Sequence, residues 1–260
     1  MYGKTVFTQI ETRRTADVVF DQVRTQIVSG NLAPGESLPG ERALCAQLGV
    51  SRGVVREALQ RLSQAGLIDI RQGGSTRILD YRTSTDLGLL QHLLIRPDTS
   101  VNSGVVRSLL EMRISIGSDA TRLAALRASE ERKRELSDLV DALAHESDVL
   151  RQQDIDLEFW STVVAASGNL GYRIAYNGLA ATYRPLRAVI ATVVIPELQN
   201  IDTHRDIVNA ISRGDSAEAE AAARSLLESS KTQWDELLDS LREVEAEQAH
   251  AESEKGGVTR

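Results

Sequence analysis

The sequence predicts a mainly α-helical protein: an N-terminal winged helix-turn-helix with a short β-hairpin wing, then a C-terminal antiparallel bundle of six to seven helices. Composition points to helices, because 42% of the 260 residues are apolar and only 4% are aromatic, which is typical of helix-rich domains. This length fits two domains. Apolar residues recur at helical spacing along most of the chain, and the β-prone runs beside Gly73-Gly74 are the exception.

The first part reads as three helices and a hairpin. The helices are predicted over residues 17–29, 41–48 and 51–65. Asp17 and Ser51 are the expected caps of the first and third helices, and Pro34-Gly35 is a turn signal between the first two. Two short strands follow, over 67–70 and 76–79, and Gly73-Gly74 permits the positive φ of the turn that joins them.

Charge is distributed unevenly along the chain. The net charge is −7, but residues 1–80 carry +2 and the remainder −9. Between Arg42 and Arg77 there are six arginines and only two acids, Glu57 and Asp69. Such a local basic surface is typical of phosphate binding, so the first part is predicted to bind nucleic acid.

The arginines of the third helix are arranged for DNA. Its apolar positions face inward, which leaves Ser51, Arg52, Gly53 and Arg56 at the exposed N-terminal end. In a recognition helix this end enters the major groove, where arginine can hold guanine O6 and N7 and glycine allows close approach.

Other contacts are expected around the recognition helix. Arg42 opens the preceding helix, where it reaches a phosphate or a base, and Gln72 and Gly73 at the wing tip reach the minor groove. Arg61 and Arg77 are interpreted as phosphate or solvent contacts.

The second part reads as helices only. They are predicted over 105–127, 129–143, 148–166, 170–195, 202–212 and 215–246. Pro185 is expected to kink the helix over 170–195, and Asp215 with Glu218 gives the helix over 215–246 a capping-box-like start. The domains are then 13–79 for DNA binding, 80–102 for the connection, 103–246 for the effector-binding and dimerisation bundle, and 247–260 for a flexible tail.

Several classes of protein are excluded by what the sequence lacks. The longest uncharged apolar stretch, Ala188 to Ile195, is too short to cross a membrane, and the N-terminus has no secretory signal, so a cytoplasmic protein is expected. The single Cys45 is interpreted as a packed helix residue. An enzyme is not expected, because the four histidines are scattered and no glycine-rich loop precedes a helix after residue 80.

The stretch from Asp17 to Leu79 resembles the DNA-binding domain of GntR-family regulators. The LPGER element at 38–42, the SRGVVREAL helix at 51–59 and the glycine-rich wing carry the resemblance. It implies DNA contacts by Arg42, Arg52, Arg56 and Gly73, with Ser51 and Gly53 beside them. Gln72 stands where fatty-acid-responsive members have histidine, which implies a kept minor-groove contact with a different base preference.

The second part resembles the effector domain of the FadR branch of that family, through the ExR pair Glu111 and Arg113, AASGN at 165–169 and the HRDIVNAISRGD stretch from His204. Metal-dependent members hold one cation with an aspartate and three histidines. Here Asp156 and His204 match two ligand positions, while Trp160 and Leu226 occupy the other two. Because a metal site needs three or four ligands, no metal and no other cofactor is expected.

The replacements make an effector pocket more apolar and favour a lipid-like ligand. The segment SSKTQW at 229–234 resembles one that lines the acyl-coenzyme A site of fatty-acid-responsive members, and Ser230 and Trp234 match it. The predicted effector-binding residues are Arg113, Asp156, Trp160, His204, Ser230 and Trp234. Structural roles stay open for the two tryptophans and His204 as core residues. Arg113 needs an acidic partner, either a side chain such as Asp156 or a ligand carboxylate.

The sequence therefore predicts a transcriptional repressor that binds a palindromic double-stranded operator as a homodimer, with no membrane partner, and is released by a fatty acid or acyl-coenzyme A. Effector binding is expected to tilt the DNA-binding domains and change the spacing of their recognition helices. Two alternatives stay open: a metal-dependent sensor of a small carboxylate, and a DNA-binding protein without an effector.

Overall fold

A computed structural model describes residues 15–71, 75–85, 87–95 and 100–256, with the backbone alone for residues 91 and 244–256. The chain divides into two compact units, residues 1–89 with 96–98 and residues 90–95 with 99–260. Within the described ranges, no helix is long and apolar enough to cross a membrane.

The first unit is a helical core with a small antiparallel sheet. Its elements are α1 (Thr15–Val28), α2 (Glu41–Leu48), α3 (Arg52–Gln64), β1 (Ile68–Asp69), β2 (Arg77–Ile78), α4 (Tyr81–Ser84) and a 3₁₀ turn (Leu87–Leu89). Buried apolar side chains of α1 and α3 form its centre, with Phe20, Val55 and Leu62 at most 2% exposed. This confirms the predicted winged helix-turn-helix.

One predicted detail of α1, its cap, is wrong. The helix begins at Thr15, so Asp17 lies in its first turn and does not cap it. Asp17 forms an ion pair with Arg61 of α3, and the Arg61 guanidinium also lies over the ring of Phe20, 4.9 Å from its centroid. Arg61 therefore ties α3 to α1 while its side chain stays 35% exposed, and its contact with a phosphate stays a prediction.

The two strands are shorter than predicted, and the backbone before α2 lies beside them. Ile68 pairs with Ile78 and Asp69 with Arg77. The backbone before α2 joins β2, because the Leu38 amide donates to the Thr76 carbonyl and the Ile78 amide donates to the Glu36 carbonyl, each at 2.9 Å. This pairing was not predicted, because Pro34-Gly35 indicated only a turn.

A close backbone contact fixes the end of α3. Gly66 has φ +69°, and a Cβ there would lie 2.6 Å from the carbonyl oxygen of Ser84. In return, the Ser84 hydroxyl donates to the Gly66 carbonyl at 2.8 Å. Only glycine fits such a position without strain, and the contact holds α4 within the first unit.

The second unit is entirely helical in its described residues, apart from one isolated β-bridge between Ile95 and Val101. Its helices are α5 (Leu90–Leu94), α6 (Ser103–Arg127), α7 (Glu130–His145), α8 (Val149–Ala166), α9 (Leu170–Tyr183), α10 (Ile195–Leu198), α11 (Ile201–Arg213), α12 (Ser216–Glu228) and α13 (Lys231–Gly256). Side chains cap six of these helices, by Asn102, Ser129, Asp148, Asn169, Asn200 and Asp215.

Two of the predicted helices are each divided. The helix predicted over 170–195 ends at Tyr183, and a 3₁₀ turn (Arg184–Leu186) and further turns lead to α10. Pro185 lacks an amide proton and clashes with the preceding turn, so it ends the helix where a kink was expected. The helix predicted over 215–246 divides at Ser229-Ser230, where the Ser229 hydroxyl donates to the Leu226 carbonyl at 2.6 Å and competes with helical hydrogen bonding.

Small residues bring the central helices of the bundle together. Ala120 and Ala124 of α6 and Ala219 and Ala223 of α12 are fully buried in one apolar cluster. At Gly117 an added Cβ would lie 2.7 Å from Cδ1 of Leu227. Close packing of α6 and α12 follows, and residues of α6, α8, α9 and α13 line a cavity on another side of α6.

Candidate functional site

The first candidate site is the N-terminal end of α3. Ser51 caps this helix by accepting from the Val54 amide at 3.5 Å, while Val55, Ala58, Leu59 and Leu62 face the core. Burial of that face turns the side chains of Arg52 and Arg56 outward, and Ser51, Arg52, Gly53 and Arg56 are all exposed. At Gly53 an added Cβ would meet only the Ser51 hydroxyl, at 3.9 Å, so packing of the unit does not require a glycine there.

Helix α2, which precedes α3, contributes two charged side chains, those of Glu41 and Arg42. Arg42 is exposed near the start of α2. The Arg56 side chain is 72% exposed and pairs with Glu41, 3.0 Å from Nε to Oε2. Exposed pairs of this kind contribute about 0–1 kcal/mol, so a phosphate or base can replace Glu41 at little cost. Gln72 and Gly73, the predicted wing contacts, lie outside the described residues.

The second candidate site is an apolar cavity in the second unit. The cavity has a volume of about 130 Å³. Four of the six predicted effector-binding residues line it, and these are Arg113, Asp156, Trp160 and Trp234. Its walls are otherwise largely aliphatic, with contributions from Leu94, Val106, Leu110, Leu179, Val189, Ile190, Val194 and Leu237.

Arg113 has an acidic partner that the sequence analysis did not name. The guanidinium donates to both carboxylate oxygens of Glu197, with Nη1 3.0 Å from Oε2 and Nη2 bonded to Oε1. Burial raises the pKa of Glu197, although the Arg113 charge opposes it, and the bidentate geometry fits the ionised carboxylate. The prediction of an acidic side-chain partner is therefore confirmed, but the acid is Glu197 and not Asp156, the example that the sequence offered. The signal was an acid two residues after the end of the apolar run at Ile195.

Asp156 and His204 form a second buried pair. Nε2 of His204 lies 3.3 Å from Oδ1 of Asp156, and Nδ1 lies 2.9 Å from the Asn200 carbonyl. Burial opposes the charged imidazolium, but the hydrogen bond to Asp156 and its negative charge outweigh burial and raise the pKa of His204. His204 is fully buried behind Asp156 and is not among the residues that line the cavity.

These residues do not fit a metal ion. Trp160 and Leu226 stand at the positions of the other two ligands, and neither offers a metal-binding atom. Leu226 is fully buried in the apolar cluster. Within the described ranges, no three His, Cys, Asp or Glu side chains are grouped to hold a cation.

The two tryptophans of the lining carry buried indole N–H groups. Trp160 is 5% exposed and Trp234 9% exposed, and the indole Nε1 atom of each is buried without a hydrogen-bond partner among the described residues. Ser230, predicted as an effector contact, is fully buried beside the start of α13 and away from the lining. Its hydroxyl oxygen also has no partner in the described part of the chain.

The other polar side chains of the lining are already bonded. The hydroxyls of Tyr176 and Tyr183, which the sequence analysis missed, donate to the Leu157 carbonyl at 2.5 Å and to Oε1 of Gln153 at 2.9 Å. Burial raises the pKa of both tyrosines, so their hydroxyls stay neutral. The Thr182 hydroxyl donates to the Leu179 carbonyl at 2.7 Å.

Family comparisons cover both units. Residues 15–78 match the family described as "Bacterial regulatory proteins, gntR family", and residues 108–229 match the FCD domain. The HTH-type transcriptional regulator Mce2R of Mycobacterium tuberculosis (strain CDC 1551 / Oshkosh) is 40% identical over 222 residues, 85% of this chain and 92% of that protein.

Other relatives are named for metabolic regulation. An Escherichia coli K12 protein named for regulation of an L-lactate dehydrogenase operon is 31% identical, over 81% of this chain and 82% of that protein. The fatty acid metabolism regulator protein of Cronobacter sakazakii is 29% identical, over 67% of this chain and 71% of that protein.

A solved structure has the same fold. Lar, which controls the expression of the Listeria monocytogenes agr system, superposes with a TM-score of 0.53 at 15% identity, over 88% of this chain and all of that one. The matches to the family models and to Mce2R establish the kind of protein, a transcription regulator with an effector-binding domain and not an enzyme. The chain belongs to the GntR family of bacterial regulatory proteins.

Proposed function

We propose that this regulator is a repressor that binds a palindromic operator as a homodimer and is released by a lipid-like effector, a fatty acid or acyl-coenzyme A. The observation that carries the DNA-binding part is the exposure of Arg52 and Arg56 on the first turns of α3, whose opposite face is buried in the core of the unit.

In this proposal Arg52 and Arg56 contact base edges in the major groove, and Arg42 contacts a phosphate or a base. Ser51 and Gly53 lie against the DNA backbone, and Gln72 and Gly73 reach the minor groove. One recognition helix reads only a few base pairs, so two copies related by a two-fold axis would read a palindrome.

The apolar cavity supports a lipid-like effector. Its walls carry mostly aliphatic and aromatic side chains, and such walls favour a ligand with a long apolar part. The name of the Cronobacter relative points the same way. A metal-dependent carboxylate sensor is less consistent with the side chains, because Trp160 and Leu226 replace two ligands.

Effector binding would reach the DNA-binding unit through the chain connection. Leu94 lines the cavity and follows Leu89, the end of the first unit's main segment, by five residues. We infer that the cavity binds its ligand more tightly in one conformation of this connection, so that the ligand shifts the population away from the operator-binding state.

The test is gel-shift binding to the promoter region of the protein's own gene, with acyl-coenzyme A and, separately, with divalent metal plus small carboxylates. We expect Arg52→Ala and Arg56→Ala each to cost about 1–3 kcal/mol of specific binding. Arg132→Ala, an exposed arginine of α7 in the second unit, is the matched control and should leave binding unchanged.

Release of the DNA by acyl-coenzyme A alone supports the lipid effector. Release only with metal and carboxylate contradicts it and favours the carboxylate sensor. Release by neither, together with an unchanged melting temperature in the presence of each ligand, favours a regulator without an effector.

A further inference from the structure

The ion pair between Glu41 and Arg56 joins α2 to the outward face of α3. Nε of Arg56 donates to both carboxylate oxygens of Glu41, at 3.1 Å to Oε1 and 3.0 Å to Oε2. The two residues are 15 apart along the chain, so the turn between the two helices is what brings them together. Arg56 and Arg52 are both exposed near the start of α3, and the pair therefore lies within the proposed DNA-binding surface.

The carboxylate engages only one of the three guanidinium nitrogens. A guanidinium carries five N–H donors, one on Nε and two on each Nη. Within the described ranges, the hydrogen bonds of the Arg56 side chain are those from Nε to Glu41. The side chain is 72% exposed, so packing restrains it little. Glu41 therefore sets the direction of the guanidinium and leaves both Nη atoms available.

This orientation suits one way of reading guanine. Guanine presents O6 and N7 as neighbouring acceptors in the major groove. An arginine can approach them end-on with both Nη atoms, or side-on with Nε and one Nη. A carboxylate on Nε blocks the side-on approach and leaves the end-on approach intact. A guanidinium that is held in place before DNA arrives also loses less conformational entropy on binding.

The negative charge of Glu41 acts against DNA binding in general. A carboxylate on a surface that faces phosphates is repelled by them, and this repulsion weakens binding to every duplex alike. The bond from Arg56 to Glu41, in contrast, matters only where a base accepts from that arginine. A comparison of specific with non-specific DNA therefore separates positioning of Arg56 from the effect of charge.

We propose that Glu41 is a positioning residue for base recognition. It holds Arg56 so that Nη1 and Nη2 read a guanine end-on, and it raises operator specificity although its charge lowers affinity for DNA in general. The proposal rests on the major-groove contact of Arg56 proposed above, and it assigns a role to an acid that was not among the predicted DNA contacts.

The test uses the full chain and a duplex that the wild-type protein selects from a random pool. Affinity for this duplex and for a shuffled duplex of equal length and composition is measured at one salt concentration, because phosphate contacts depend strongly on salt. Glu41→Gln removes the charge and keeps the side-chain length. We expect the ratio of the two affinities to fall by about twofold to fivefold, the range that one exposed ion pair supplies, while affinity for the shuffled duplex stays equal or rises.

Two further measurements connect the effect to Arg56. In the Arg56→Ala background, Glu41→Gln should leave the ratio unchanged, because the contact that it positions is absent. Selection repeated with Glu41→Gln should relax the base preference at the same base pair as selection with Arg56→Ala. Glu41 also lies in the first turn of α2, where an acid stabilises the helix, but loss of that stabilisation would lower both affinities together. Melting curves establish that each variant is folded.

The matched control is Asp69→Asn, which removes the same charge from the same unit. Asp69 accepts from Nε of Arg71 at 3.0 Å, and the two side chains are 43% and 64% exposed. The corresponding fractions are 40% for Glu41 and 72% for Arg56. The ratio of affinities should stay unchanged in this variant. A fall as large as that of Glu41→Gln would show that charge and not position sets the ratio, and would overturn the proposal.

The remaining outcomes distinguish this proposal from the one on which it rests. An unchanged ratio with Glu41→Gln, which would follow if DNA displaced the carboxylate, overturns the positioning role and leaves the base contact of Arg56 standing. A ratio that falls equally with and without Arg56 does the same. If Arg56→Ala binds the selected duplex as tightly as the wild-type protein does, both proposals are overturned. A random pool from which the wild-type protein selects no sequence also overturns both.

Discussion

The buried ionic residues beside the cavity illustrate what a sequence can tell about a single side chain. Arg113 stands in an apolar stripe, so an acidic partner was predictable, and a buried arginine without one would be strongly disfavoured. Which acid it contacts was not predictable, because Glu197 lies 84 residues away along the chain. The packing of α10 on α8, together with that of α8 on α6, which carries Arg113, brings it near.

Removal of one member of this pair should destabilise the second unit. With Glu197→Gln the guanidinium of Arg113 loses its counter-charge, and we expect the free energy of unfolding to fall by about 3 kcal/mol. The Arg113 side chain is 25% exposed, so water still reaches the guanidinium. The expected loss of stability is therefore at the lower end of the range for breaking a buried ion pair. Urea denaturation measures it.

The double variant Arg113→Met with Glu197→Leu is the control for that experiment. It removes both charges and should recover most of the stability. A double variant no more stable than Glu197→Gln would mean that the lost stability comes from packing and not from the unpaired charge.

The pKa of His204 predicts a pH dependence of stability. It is raised above its ordinary value of 6.5, so the folded state binds the proton more tightly than the unfolded state. The stabilisation is therefore complete below about pH 6.5 and is lost as pH rises through the folded-state pKa. We expect the free energy of unfolding to decline over that range in the wild-type protein and to be flatter in His204→Gln, which retains a donor toward Asp156. Equal slopes for the two proteins would contradict the assignment.

At the scale of elements, local sequence signals predicted the positions of most helices. They did not predict the breaks within the helices expected over 170–195 and 215–246. Caps such as Ser51 and Asp215 were readable, because a short polar side chain before an apolar periodic run satisfies the free amides of a helix. The end of α9 at Tyr183 was not readable, because Pro185 is compatible with either a kink or a stop, and the choice depends on what neighbouring helices leave room for.

Two glycines of the first unit should respond in opposite ways to alanine. Gly66→Ala places a Cβ against the Ser84 carbonyl at positive φ, and we expect a loss of at least about 1 kcal/mol of stability. Gly53→Ala meets no obstacle within α3 and should gain about 0.5 kcal/mol from higher helix propensity. Thermal denaturation compares the two variants with the wild-type protein.

Operator binding distinguishes the role of Gly53 from its effect on folding. If the backbone at Gly53 approaches DNA closely, Gly53→Ala should weaken operator affinity although it stabilises the unit. Unchanged or stronger binding would show that this position stays clear of the DNA.

At the scale of the whole molecule, the distribution of charge along the chain predicted a DNA partner better than the net charge did. A net charge of −7 gives no indication of a DNA partner, yet the arginines between 42 and 77 follow the elements that form the first unit. The existence of an effector cavity was less predictable, because it depends on the gap that α6, α8, α9 and α13 leave between them, and no local pattern encodes a gap.

Coupling between operator and effector must be reciprocal. If acyl-coenzyme A weakens operator affinity by some factor, operator DNA must weaken binding of acyl-coenzyme A by the same factor. Both tryptophans of the chain line the cavity, so we expect tryptophan titrations with and without operator to give the factor found by gel shift. A ligand affinity that keeps falling as operator is added, without reaching a plateau, would show instead that the ligand competes directly for the DNA-binding surface.

The stretch between α9 and α10 has a consequence for how this protein can diversify. Leu186, Val189 and Ile190 form part of the cavity wall from turns held by short-range bonds such as that of the Val193 amide to the Ile190 carbonyl. Residues added or removed there would change the room available to a ligand without rotating any long helix out of register. Libraries of varied length over 186–190 are therefore the most direct route to a biosensor with a new chemical range.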